Sequence, residues 1–177
     1  MNKKKYPLIV KLSQKMKEKE FILSKMALQE MLFLLEELYS VPVGYKFELL
    51  TYGPYSVELT SDLDQYAELE YIDIDYVKEK SYTGSKILPG LNYKMALAAG
   101  KDFLDENEER INKFIEKYGN KSVRDLEVRA VIVFLVKKEG ETKDKLIERI
   151  KDIKPYFDSE DIIKGMNDLS QIIKKKQ

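Results

Sequence analysis

The 177-residue chain contains no cysteine and no histidine. The first absence excludes disulfides, thiolate metal sites and cysteine nucleophiles; the second removes the commonest acid/base group and metal ligand active near neutral pH. Neither a Ser-His nor a Cys-His triad can be assembled within this chain. Excess charge is also missing, because 31 Lys plus Arg balance 31 Asp plus Glu, so no global field draws the protein to nucleic acid or to an anionic membrane. Long apolar runs are absent too. The longest, Ala130 to Val136, spans seven residues and falls far short of a membrane span. In the basic N-terminal stretch, Lys11, Lys15, Lys17 and Lys19 interrupt the apolar positions, so no signal peptide is expected and the default location is the cytoplasm.

The positions that are apolar have readable periods. Pro7 can open a first helix running to about Glu18, with Leu8, Ile9, Leu12 and Met16 on one stripe. Ser24 can cap a second helix whose apolar band, from Met26 to Leu38, is wide enough for burial on more than one side, and Pro42 and Gly44 end it. Tyr45 to Thr51 reads as a short strand. In Tyr52-Gly-Pro-Tyr-Ser56, Gly53 as N-cap and Pro54 as first helical residue would turn the chain into a third helix bearing Leu59, Leu63, Tyr66 and Ala67. Tyr71 to Val77 alternates as a half-buried strand, with Ile72, Ile74 and Tyr76 on one face. Thr83-Gly84-Ser85 suits a hairpin tip, and Lys86 to Tyr93 a returning strand broken at Pro89-Gly90. The remainder reads as helices over Lys101–Tyr118, Val123–Lys138, Lys143–Ile153 and Glu160–Lys174, with Ser122, Thr142 and Asp158 or Ser159 as caps. The expected class is therefore α+β: a winged-helix-like half over 1–100 with a small antiparallel hairpin, and an all-helical half over 101–177 packed on it.

Leu28-Gln-Glu-Met-Leu-Phe-Leu-Leu35, then Gly44-Tyr-Lys-Phe-Glu-Leu49, then Tyr52-Gly-Pro-Tyr-Ser56 leading to Leu63, Asp64 and Leu69 carry a resemblance. The stretch over about residues 24–104 resembles the Panacea group, the SocA-like antitoxin domain, and within it the uncharacterised YwgA-like proteins. The resemblance implies an apolar helix, a short strand, a YGP corner and a helix running into a wing-like hairpin. It also implies a protein-binding role, since members include antitoxins that bind a toxin protein and in one case present it to a protease. The chain departs from the winged-helix pattern after the hairpin, where Tyr93-Lys-Met-Ala-Leu-Ala-Ala-Gly100 lacks the usual threonine.

A winged helix invites a DNA reading, with the third helix in the major groove. Charge placement opposes it. From Phe47 to Val77 there is no Lys or Arg, while Glu48, Glu58, Asp62, Asp64, Glu68, Glu70, Asp73 and Asp75 are all acidic, and a duplex carries one phosphate charge per about 1.7 Å of axis. Only Lys78, Lys80 and Lys86 at the hairpin, and the lysines of the first 25 residues, offer a nucleic-acid contact. The like-charge pairs Glu58/Asp62 and Asp64/Glu68 at i, i+4 each cost a few tenths of a kcal/mol, which a basic partner surface would relieve. Eight of the twelve tyrosines fall between positions 45 and 93, and Tyr is favoured at interfaces.

An enzyme has little to build on: there is no Gly-rich phosphate loop and no EF-hand glycine, and Ser56 without His would need a lysine base. Ser56 reads as a helix cap. The expectation is thus a cofactor-free, non-enzymatic binding module that uses Tyr52, Tyr55, Glu58, Asp62 and Asp64 against a protein with a basic surface. The alternative is a DNA-binding regulator using Lys78, Lys80 and Lys86. No membrane contact is expected, and association of copies is left open.

Overall fold

The computed structural model describes residues 5–78 and 83–174. Helices α1 (Lys5–Glu18) and α2 (Lys25–Tyr39) lead to a short ribbon of β1 (Glu48–Leu50) and β2 (Gly53–Tyr55). Then follow α3 (Val57–Glu68), the hairpin β3 (Ile72–Lys78) and β4 (Thr83–Pro89), and the short α4 (Tyr93–Ala99). Helices α5 (Lys101–Tyr118), α6 (Val123–Phe134), α7 (Lys143–Ile153), α8 (Ser159–Asp168) and α9 (Ser170–Lys174) complete the chain. Helices and small antiparallel sheets followed by a helical C-terminal half make this an α+β fold.

Helix α2 is central. Every residue from Ala27 to Leu35 is buried, including Gln29 and Glu30, because α6, α5, the ribbon and β4 surround it. Helix α6 packs on α2 and on β2 and is backed by α7 and α8, while α1 lies against α4, α5 and β4. Hydrophobic side chains from both halves form a single cluster, in which the Phe33 ring of α2 lies 5.5 Å from Phe47 and 5.9 Å from Phe134. Arg129 of α6, fully buried, reaches both Asp125 and Asp168 and so ties α6 to α8. Among the described residues, no helix is long and apolar enough to cross a membrane.

The predicted caps do their work: Ser24, Ser122 and Asp158 accept hydrogen bonds from the amides of Ala27, Asp125 and Asp161. Thr142 precedes α7 but makes no side-chain cap bond. Several expected boundaries are corrected. Helix α1 already includes Lys5, so Pro7 lies inside its first turn, where a missing N–H is tolerated. The strand expected over 45–51 shortens to β1. Pro54 belongs to β2, opposite Leu49, and Ser56 caps α3. In this two-stranded ribbon the absent proline N–H costs little. Thr83, Gly84 and Ser85 are ladder residues of β4 opposite Lys78, Val77 and Tyr76. Hydrogen bonds to the end of the α1–α2 linker and the start of α2 hold β4: the Ile87 amide donates to the Leu23 carbonyl (2.8 Å) and the Lys25 amide to Ser85 Oγ (3.1 Å).

Strand β4 ends at Pro89, and Tyr93 opens α4 instead of continuing the strand. Gly90 packs so tightly on the Glu70 main chain, with its amide bonded to the Tyr71 carbonyl, that the ladder stops there. Tyr76 shares a strand face with the buried Ile72 but lies beyond the core, exposed. The segment expected as one helix to Lys138 passes from α6 into a π-helical turn over Leu135–Glu139, and the last expected helix breaks at Leu169. The break lets Leu169 and Ile173 both reach the core.

Candidate functional site: the YGP ribbon and the carboxyl cluster beneath it

The YGP residues form a seated ribbon. Leu50 pairs with Gly53 across the two-residue turn Thr51-Tyr52, and Gly53 has a φ of +99°, a conformation that L side chains rarely adopt. A β-carbon at Gly53 would overlap Oε1 of Glu30 and lie 3.0 Å from its Cδ, so the glycine backbone rests directly on a carboxyl group of α2. One residue earlier in α2, the Gln29 amide clamps the next corner. Its Oε1 accepts from the Ser56 amide (2.9 Å), and its Nε2 donates to the Ser56 carbonyl (3.1 Å) and to Thr60 Oγ1 (3.2 Å). Ser56 Oγ in turn accepts from the Leu59 amide, so the serine caps α3 and is buried. Its hydroxyl is committed to structure.

Beneath the ribbon, four side chains converge from three segments. Glu30 comes from α2, Glu127 from α6, and Lys154 and Tyr156 from the segment after α7. The Lys154 ammonium, almost completely buried, donates to the carbonyls of Leu50 and Thr51 and sits 3.8 Å from Glu127 Oε1. The Tyr156 hydroxyl meets the Glu127 carboxylate and donates to the Thr51 carbonyl (3.1 Å). Glu30 is 0% exposed, and among the described residues neither of its oxygens has a hydrogen-bond partner.

Burial is the main reason that the Glu30 carboxyl lies well above the usual carboxylate range. Glu127 pushes it further up, and Lys154 opposes both. Burial also pulls the Lys154 ammonium down, against the attraction of Glu127 and Glu30. Chemically the cluster can hold a proton and fix the turn. It offers no open nucleophile, since the ammonium is spent as a donor on two carbonyls.

Around the cluster, large side chains reach solvent: Leu50 and Tyr52 of the ribbon are 47% and 65% exposed, Val57 at the start of α3 74%, and the Tyr156 ring at the cluster's edge 43%. Of the residues singled out from sequence, Tyr52 stands at the ribbon tip, and Tyr55 is half-buried with its hydroxyl 2.6 Å from Thr60 Oγ1. The acids are occupied within the chain. Glu58 binds Lys5, Asp64 lies 3.5 Å from Lys25, and Asp62 accepts from the hydroxyls of Tyr45 (2.8 Å) and Tyr66 (2.9 Å). Burial, with Asp62 adding to it, raises both tyrosines and keeps those hydroxyls protonated. Intramolecular partners therefore already relieve the like-charge pairs of α3. Glu58, Asp64 and Glu68 nevertheless remain exposed on α3, and Glu70, Asp73 and Asp75 follow beside them.

On the hairpin, Lys78 is exposed, Lys86 is half-buried and stands directly across the ladder from Asp75, and Lys80 lies outside the described residues.

The sequence reading missed Gln29, Glu30, Glu127, Lys154 and Tyr156. A signal existed for the first two, a polar pair inside an otherwise apolar buried helix. The other three come from segments whose neighbourhood is set only by the packing of α6 against α2. No family model matches the chain. It is 25% identical over 157 residues, 85% of this chain and 89% of the relative, to the uncharacterised protein YwgA of Bacillus subtilis (strain 168).

Proposed function

We propose that the protein is a non-enzymatic protein-binding module, antitoxin-like or adaptor-like in the manner of the Panacea group, that engages its partner through the ribbon tip and the acidic face of α3. One observation carries the reading: large apolar side chains, Leu50 and Tyr52 of the ribbon and Val57 at the start of α3, stand in solvent on a corner held by Lys154 and Tyr156 at the turn and by Gln29 at Ser56. A preorganised aromatic anchor of this kind loses little conformational entropy on binding, and such anchors dominate the energetics of interfaces. The order helix, helix, ribbon, helix, hairpin is in keeping with the winged-helix-like plan that the resemblance implies. The acids from Glu58 to Asp75, with no base among them, favour a partner with a basic surface over a phosphate backbone.

Affinity purification of the tagged chain from native cells, with nuclease treatment, tests this. A protein should be recovered in stoichiometric amount with the wild-type chain and lost with a combined Tyr52→Ala and Val57→Ser variant. Equal recovery by both, or recovery that nuclease abolishes, would overturn the proposal, the latter in favour of a DNA-binding regulator.

A further inference from the structure

Glu30 has no hydrogen-bond partner among the described residues in either protonation state, and that costs far more for a buried carboxylate than for a neutral carboxyl. An ammonium has three protons to give. Lys154 directs two of them at the carbonyls of Leu50 and Thr51 and faces Glu127 with the third. The Tyr156 hydroxyl is shared between Glu127 and the Thr51 carbonyl. On the β2 side Glu30 lies against the Gly53 backbone, which carries no titratable group, and the adjacent Gln29 amide is turned away onto Ser56. The ionisable groups that bear on Glu30 among the described residues are Glu127 from α6, and Lys154 and Tyr156 from the segment after α7. A carboxylate at Glu30 would have no donor of its own among the described residues and would add a second negative charge to that of Glu127, at a side chain with no exposed surface. It could be satisfied only if Lys154 released the turn carbonyls or the ribbon lifted to admit solvent.

We propose that a proton on Glu30 latches the YGP ribbon: while Glu30 is neutral Lys154 holds the Leu50 and Thr51 carbonyls, and when the proton leaves Lys154 is drawn onto two carboxylates and the ribbon loosens. Presentation of Leu50 and Tyr52 then depends on pH, with the seated form favoured on the acid side. This consequence for binding rests on the ribbon being the partner surface, whereas the latch itself is a property of the isolated chain.

Nuclear magnetic resonance on the full chain without any partner tests it. The Glu30 side-chain carboxyl carbon and the amides of Leu50, Thr51, Tyr52 and Gly53 are followed from about pH 4 to about pH 9, a span that crosses the ordinary carboxylate range. The expected result is one shared midpoint above that range, with amide protection of the ribbon, corrected for intrinsic exchange, falling by more than about tenfold beyond it. Glu30→Gln should keep the ribbon protected throughout, Glu127→Gln should move the Glu30 midpoint downward, and Lys154→Met should leave the ribbon unprotected at every pH. A Glu30 that titrates with ordinary carboxylates, or ribbon amides indifferent to its titration, would overturn the latch. If Glu30→Gln does not fold, Glu127→Gln decides the question: the latch requires the Glu30 and ribbon-amide midpoints to move down together, and a Glu30 shift that the ribbon amides do not follow overturns it. Tyr52→Ala should leave the titration unchanged, so loss of partner binding in that variant is read separately from failure of the latch.

Discussion

Replacing Gly53 by alanine introduces a single carbon at the point where the ribbon touches α2. Two effects add. At a φ of +99° a side chain carries a backbone penalty of about 1–2 kcal/mol. The new methyl also overlaps the Glu30 carboxyl, which is fully buried and cannot swing to solvent, and overpacking of this kind costs about 1–3 kcal/mol. Gly53→Ala should therefore destabilise the protein by about 2–5 kcal/mol. Equilibrium urea unfolding followed by far-ultraviolet circular dichroism measures it. The two contributions separate in a double-mutant cycle with Glu30→Ala, which removes the carboxyl and leaves room for the methyl. In that background only the backbone penalty should survive, giving a coupling of about 1–3 kcal/mol between the two positions. A Gly53→Ala effect below about 0.5 kcal/mol, or the same penalty in both backgrounds, would refute the contact on which the seated ribbon depends.

Three further changes probe neighbouring parts. The Glu30 carboxyl is raised in the folded state, so the folded chain keeps its proton over the window between the ordinary carboxylate value and the raised one. Stability should fall as pH rises through that window, and Glu30→Gln should remove this slope and be the more stable protein on its alkaline side; parallel urea midpoints across pH would contradict it. Lys154→Met strips the cation from Glu127 and from two turn carbonyls, and breaking a buried pair in this way should cost about 3–5 kcal/mol by urea unfolding. Ser56→Ala removes the cap of α3 and should cost about 0.5–2 kcal/mol by urea unfolding; unchanged stability would argue against a capping role.

Helix positions were legible in the sequence because apolar residues recur at the helical period and polar caps mark the starts. Ser24, Ser122 and Asp158 act as those patterns imply. Turns were less legible. Gly53-Pro54 carries the local signature of a helix entry, but the chain gains more by pairing Gly53–Tyr55 with Glu48–Leu50 over α2 and letting Ser56 take the cap. Tyr93 has a strand-like character but is set at a helix start once Gly90 has closed on the Glu70 main chain and Asn92 has bonded to the Leu69 carbonyl (3.2 Å). The surface half of the candidate site, Tyr52 with the acids of α3, could be picked out from composition alone. The buried half could not. Glu30 and Glu127 stand 97 positions apart in number, and nothing in local pattern shows that α6 brings one beneath the other's ribbon. Likewise Lys5 and Lys25 lie on α1 and α2, and only the packing reveals that they answer Glu58 and Asp64.

The most direct test of the ribbon as a recognition surface is site-specific photo-crosslinking in native cells. A photoreactive residue is placed at Tyr52, with a control at Ile163, an exposed apolar position on α8. The account predicts a discrete protein adduct from position 52, resistant to nuclease, and none of that size from position 163. Identical adduct patterns from the two positions, or an adduct at 163 alone, would contradict it.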